Sequence, residues 1–389
     1  MADLPIEIIT QILSQLPVKS LLSFLCVCKS WYSLIKNPNF IKLHLNQSLI
    51  SNSNRHLLLH YSSLHSAELD LEPNRISFSE LRHPLKPRKI VIFIGSCNGV
   101  VCISDESGND VFLYNPLTGS HRKLPSIPTI DLDKDCLVYG FGYDSKNDDY
   151  KVLMMIQGLK NRKNSRNEAK VYSLKESSWK CVKSIPYYLY YANCNGVLVN
   201  EALHYMVKRR ILGSKLCKFI ASFDLRTESF SLMKCPKYDV NLKTYWLMRL
   251  YELGGCLSLF INHHSCDINK LSPYELHDPI LESAEVWVMK EHGRNDSWAK
   301  VYSIREPRKM LSMVQLKPLV YSDEQRVLLE IDGRILGWYD LKSEKFNEYT
   351  IQGMSFEPVG MEYFVGSLVS VEDESRFQSR TLSKKNKKK

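Results

Sequence analysis

No C-x-x-C pair occurs in the 389 residues, although 11 are cysteine. Scattered thiols exclude a disulfide-stapled secreted scaffold, and they exclude a structural zinc site, which needs clustered thiolates and imidazoles. Long apolar runs are missing too. The longest, Ile90 to Ile103, is broken by Gly95, Ser96 and Asn98, and falls short of the roughly 20 residues a membrane helix needs. The opening MADLPIEIIT lacks the basic start and pure apolar core of a signal peptide. A reduced, soluble, intracellular protein without a membrane partner is expected. Also absent are G-x-S-x-G, Walker A, H-E-x-x-H and the dinucleotide fingerprint. The expectation is therefore a protein that is no enzyme and carries no cofactor and no metal.

The composition is that of a folding chain, 44% hydrophobic and 24% charged. Its 21 tyrosines favour β-structure, where aromatic rings suit a half-buried pleat. Net charge is +10, but Lys384, Lys385, Lys387, Lys388 and Lys389 supply half of it. Residues 373–389 read as a basic disordered tail that could serve nuclear import, so cytoplasm and nucleus are the expected compartments.

Residues 1–45 differ from everything after them. Leu4, Ile8, Ile9, Ile12, Leu13 and Leu16 recur at helical spacing, with Pro5 suited to a first turn. Pro17 ends that helix and opens a second, striped with Val18, Leu21, Leu22 and Leu25. A third fits Cys28 to Ile35 and a short fourth starts at Pro38. Apolar residues cover more than one face of these helices. A unit of about 40 residues rarely stands alone without staples, so its spare surface needs a cover.

Three segments, L-P-I-E from Leu4, L-P-V-K-S-L-L from Leu16 and C-V-C-K-S-W from Cys26, resemble the plant F-box in order and spacing. Ser23 and Leu25 depart from the basic residues often found there. The resemblance implies docking onto a Skp-type adaptor, and through it onto a cullin and its RING partner. It places Leu4, Pro5, Ile8, Leu13, Leu16, Pro17, Val18, Leu21 and Val27 at or beside that interface, with Trp31 packing the third helix onto the first two.

After a Ser/Asn-rich linker, residues 46–55, a strand module recurs over 56–372. Its aromatic anchors Tyr114, Tyr172, Phe223, Trp287 and Tyr339 lie 58, 51, 64 and 52 residues apart. That is near the period of about 50 of kelch-like propeller blades, although the kelch consensus is missing. Cys97-Asn98-Gly99, Cys194-Asn195-Gly196 and Gly254-Gly255 are read as turns between modules. Residues 56–82 read as a degenerate blade, and Tyr363 to Val371 as a returning strand that closes the ring. The fold expected is a small all-α module followed by an all-β propeller of about six blades. G-S-C-N-G-V-V-C from Gly95, Y-N-P-L-T-G from Tyr114 and G-F-G-Y-D-S-K-N-D-D-Y-K-V from Gly140 resemble the F-box-associated domain of plant F-box proteins. That resemblance implies recruitment of a substrate, without naming it.

One loop per module, before the aromatic strand, varies in length: Asp105–Asn109, Gly158–Glu168, Lys208–Cys217, His263–Ser283 and Asp332–Arg334. A constant frame with one variable rim is how scaffolds carry binding loops. Arg162 and Lys163, with Lys160 and Arg166, make one loop basic, and Arg209 and Arg210, with Lys208 and Lys215, the next. Together with His263, His264 and Tyr274 of the long loop, these are the candidate substrate contacts, suited to an acidic or phosphorylated protein. Asp144, Asp148 and Asp149 miss the EF-hand order, since Lys146 takes the third position. Gly140-Phe141-Gly142 reads as a turn. Nucleic acid is not the expected ligand, because no groove-entering helix or RNP motif is present. The reading is a substrate-receptor subunit of an SCF-type cullin ubiquitin ligase. Its alternative is a propeller-based binding protein without a degradative role, either a nucleic-acid-associated or a glycan-binding regulator.

Overall fold

The computed structural model describes residues 4–60, 63–69, 75–85, 90–126, 135–158, 166–189, 195–209, 217–237, 244–265, 280–305, 316–322, 325–352 and 360–372. Four helices come first: α1 (Ile6–Ser14), α2 (Val18–Phe24), α3 (Lys29–Ile35) and α4 (Pro38–Ile50). Pro5 and Pro17 stand directly before α1 and α2. Asn37 caps α4, its side-chain oxygen accepting the Asn39 N–H at 2.8 Å. This last helix runs through Asn46–Ile50, where a linker was expected. The apolar stripe ends at Leu45, but Ser48 extends the buried face, its hydroxyl accepting from the Asn54 amide at 2.8 Å.

The strands form six blades of a β-propeller. Blade I orders Gly360–Val365, Arg55–His60, Leu64–Glu68 and Ser79–Leu81, so a strand from near the end of the chain completes the first blade. Blade II is Val91–Cys97, Val100–Asp105, Val111–Tyr114 and His121–Lys123. Blade III is Asp135–Asp144, Asp149–Gly158, Asn167–Ser173 and Ser178–Val182. In blade IV, Tyr188–Leu189 and Val197–Val199 both pair with Ala202–Arg209, followed by Cys217–Asp224 and Ser229–Lys234. Blade V is Thr244–Leu253, Cys256–Ser265, Ile280–Met289 and Trp298–Arg305; blade VI is Leu316–Ser322, Arg326–Ile331, Ile335–Asp340 and Lys345–Glu348. Thr350–Gln352 adds a short parallel pair with Arg75–Ser77.

The aromatic anchors all end or approach the end of a third strand, and Tyr114, Tyr172, Phe223 and Tyr339 are buried there. The next residue shapes the turn to the fourth strand. Asp224 Oδ1 accepts the N–H groups of Arg226 and Thr227, and Asp340 Oδ1 those of Lys342 and Ser343. Each of these turns then needs one residue at positive φ: Gly119, Ser177, Glu228, Gly293 and Glu344 in blades II to VI. Outer strands carry Lys123, Lys180, Lys234, Lys300 and Lys345, and charge on an edge strand blocks pairing with another chain.

Two sequence expectations are corrected. Cys97-Asn98-Gly99 and Gly254-Gly255 do not link modules. They sit at hairpins between first and second strands of one blade, where Asn98 and Gly99 have φ of 53° and 79°. Asn195 and Gly196 do precede the short inner strand of blade IV, while Cys194 lies outside the described residues. Gly140-Phe141-Gly142 is no turn but the middle of a ten-residue strand. A Cβ on Gly140 would strike Tyr205, and one on Gly142 would meet Leu198 and Leu225 at 2.6 Å, so the glycines let blade IV approach blade III.

The described chain divides into two compact units. One holds the helices, most of blade I, blade II and residues from Tyr363 on; the other holds blades III to VI with the strand Arg75–Ser77. In the second unit Lys151 is buried and reaches Asp144 at 2.8 Å, Glu228 at 3.0 Å and the Leu225 carbonyl at 2.7 Å. Burial opposes charge on both Asp144 and Lys151, but their mutual bonds outweigh it, lowering the Asp144 pKa and raising that of Lys151. The carboxylates suggestive of calcium are thus already engaged: Asp149 takes the Ser173 hydroxyl at 2.6 Å and the Lys175 N–H at 2.9 Å, and Asp148 takes the Tyr143 hydroxyl.

Candidate functional site

Two surfaces are candidates, and the helices carry the first. Leu13, Val18, Leu21, Ile35 and Phe40 form a buried core, so the first two apolar stripes close on one another. Buried His44 ties α4 to the α1–α2 junction by donating Nε2–H to the Leu16 carbonyl at 2.9 Å. Burial lowers its pKa, keeping the ring neutral. Trp31 packs on Phe24 with ring centroids 5.3 Å apart, as the sequence suggested.

With that core complete, apolar side chains remain outside. Leu4, Ile8 and Ile12 are 60%, 43% and 50% exposed; Ile8 and Ile12, four apart, share one face of α1, and Leu4 stands just before the helix. Val27, 59% exposed, lies at the α2–α3 corner, and Ile6 and Tyr32 are exposed as well. A cluster of this kind on so small a module marks a contact surface. Of the nine residues suggested for docking, Leu4, Pro5, Ile8, Pro17 and Val27 are exposed and Leu16 is half-buried. Leu13, Val18 and Leu21 are core residues that support the surface without reaching it. Ile6, Ile12 and Tyr32 are additional candidates. Ile12 could have been found from its place four residues after Ile8.

The second candidate is the set of loops between second and third strands, of which those of blades II and VI lie within the described residues. In blade II this loop is built on Asp105, whose carboxylate accepts from Ser107 Oγ at 2.8 Å and Asp110 N at 3.1 Å. In blade VI it is the turn Asp332–Arg334. Arg162, Lys163, Arg210 and Tyr274 lie outside the described residues, and Arg209 is placed only by its backbone, paired with Cys217. His263 and His264 are not in a loop. They continue the strand Cys256–Ser265, opposite Ser283 and Leu281 across a β-bulge, and His264 is fully buried. The polar run N-H-H-S looks like loop, yet the hairpin ladder extends through it.

Arg166 changes the reading of the first basic loop. Its Nε meets Glu168 at 2.7 Å and a terminal nitrogen meets Asp135 at 3.3 Å, so this cation is neutralised locally. Arg166 in turn lowers the Glu168 pKa. Beside this ion pair Gln157, Asn167, Tyr187 and Tyr188 line a cleft of about 160 Å³. Gln157 holds its wall, donating to the Tyr187 carbonyl at 2.8 Å and accepting the Leu189 N–H at 3.0 Å. Among the described residues no cluster of metal-ligating side chains occurs.

Comparison with known proteins agrees with this geometry. Residues 1–43 match the F-box domain, and residues 54–371 match the F-box associated beta propeller domain. The chain is 32% identical over 373 residues to the F-box protein CPR1 of Arabidopsis thaliana, covering 90% of this chain and 85% of that one. An F-box/kelch-repeat protein of the same plant is 29% identical over 357 residues, covering 89% of this chain and 90% of the relative. With its helical module, its six blades and these matches along nearly its whole length, the chain belongs to the F-box proteins that carry an F-box associated β-propeller.

Proposed function

We propose that this protein is a non-catalytic substrate-receptor subunit of an SCF-type cullin ubiquitin ligase. The observation that carries the reading is the exposed set Leu4, Ile8, Ile12 and Val27, on a module whose core is already filled without them. A Skp-type adaptor covers that set and links the chain to a cullin and a RING protein. The propeller holds a protein target, and ubiquitin transfer follows from proximity, because the receptor raises the target's effective concentration at the ubiquitin carrier.

The geometry of blade II supports target binding at the rim. The helices pack on Leu117, in the turn after the third strand, whereas the rim loop precedes that strand. Val111–Tyr114, four residues long, separates the two by about 13 Å. An acidic or phosphorylated segment is the target chemistry we favour, drawn to Arg162, Lys163, Arg209 and Arg210. Co-expression with adaptor, cullin and RING protein, followed by mass spectrometry of what the wild-type chain retains, tests the reading. A ligase assembly with an acidic or phosphorylated client supports it. A chain that retains clients but never the adaptor contradicts it. We also assign the lysine-rich tail to nuclear import: deleting Lys384 to Lys389 should shift a fluorescent fusion toward the cytoplasm, and an unchanged distribution would remove that role.

A further inference from the structure

The turn after Tyr114 does more than reverse the chain. In blades IV and VI its first residue is an aspartate that only accepts hydrogen bonds. Asn115 accepts in the same way, from the N–H groups of Leu117 and Thr118 at 3.0 and 3.3 Å. A carboxylate would suffice for that. Asn115 is fully buried, and its amide uses both hydrogens, donating to the carbonyls of Ser367 at 3.0 Å and Val369 at 2.8 Å. The strap from Gly366 to Val371 is pinned at further points. Gly366 donates its N–H to the Asn54 carbonyl at 2.7 Å, Ser367 Oγ donates to the Asn98 carbonyl at 2.7 Å, and Val371 N–H donates to Ser120 Oγ at 3.0 Å.

Between these pins lies Leu368. It is buried, and its neighbours are Leu13, Val18, Leu21, Ile35 and Phe40, the core of the F-box, joined by Leu117 from the Asn115 turn. Asn54, which the strap also grips, accepts the Val18 N–H at 3.2 Å at the start of α2. The helical module is therefore closed by residues from the far end of the sequence.

We propose that residues 366–371 are an integral element of the F-box, and that Asn115 is the positioning residue that holds this strap and, through it, the adaptor-docking face. The proposal deepens the docking reading above, but it rests on packing and can fail or stand separately from it. The test is amide hydrogen exchange by mass spectrometry on the full chain. Asn115→Asp keeps the turn's acceptor and removes both donors, taking their partner from the buried Ser367 carbonyl and the half-buried Val369 carbonyl. Peptides covering α1–α4 should then exchange about tenfold faster or more, since local opening follows the lost buried bonds. Peptides of Asp135–Asp144 and Asp149–Gly158 should keep wild-type protection. Leu368→Asp should reproduce the F-box effect, and Leu368→Met should restore wild-type exchange. Wild-type protection of the F-box in both Asn115→Asp and Leu368→Asp would overturn the proposal, as would equal loss in blade III, which would make the strap a general fold element. Adaptor pull-down with the wild-type chain, run in parallel, reports on the docking reading alone.

Discussion

Single residues show how closely this fold is specified. Gly99 and Gly119 both have positive φ, 79° and 74°. Around Gly119 nothing lies within 4 Å of an added Cβ, whereas at Gly99 one would strike Ser367. Gly119→Ala should therefore cost only backbone strain, about 1–2 kcal/mol, and Gly99→Ala about 3 kcal/mol or more once the clash is added. Equal losses in a urea melt would contradict this difference. Two histidines make stability depend on pH. Burial, aided by Lys19 for His56 and by His292 for His204, pushes both pKa values down to about 4. In the unfolded chain they titrate near the ordinary value of about 6.5. The fold thus binds fewer protons than the unfolded state, so their contribution is whole above that value and is lost as pH falls toward 4. The loss should be roughly 3 kcal/mol for each group. Urea unfolding at pH 7, 5.5 and 4.5 checks this, and a flat profile would contradict it.

At the scale of elements, some parts of the fold were plain in the sequence and others were not. The spacing of Ile8, Ile12, Leu13 and Leu16 showed α1, and the recurring aromatic with a polar turn after it showed the third strand of blades II to VI. First strands were harder to see, because Gly140 and Gly142 break the apolar pattern where blade IV packs closely. The end of α4 was missed for a similar reason: Ser48 continues its buried face through a hydrogen bond, not through apolarity. Which apolar residues of α1 face outward depends on which of its two stripes α4 covers, and that is a tertiary fact. Lys151 is the clearest test at this scale. It bonds Asp144, Glu228 and the Leu225 carbonyl from within the core of the second unit. Lys151→Met leaves the buried Asp144 carboxylate with only the neutral donors of Asn147 and should cost about 3–5 kcal/mol. Chemical denaturation measures it, and a loss below about 1 kcal/mol would mean that Asp144 finds other partners or takes up a proton.

For the molecule as a whole, sequence and structure agree on a helical module with exposed apolar side chains followed by a six-bladed propeller. These side chains are where the account is most exposed to test, because Ile8 and Ile12 lie outside the core, so changing them should leave the fold intact. Truncated interface anchors commonly cost about 2 kcal/mol or more each, so Ile8→Asp with Ile12→Asp should weaken adaptor binding by about a hundredfold or more. Isothermal titration of a purified Skp-type adaptor into the full chain measures this directly. Saturable one-to-one binding by the wild type, lost in the double variant at an unchanged melting temperature, is the predicted result; no binding by the wild type, or equal binding by both, would contradict the account.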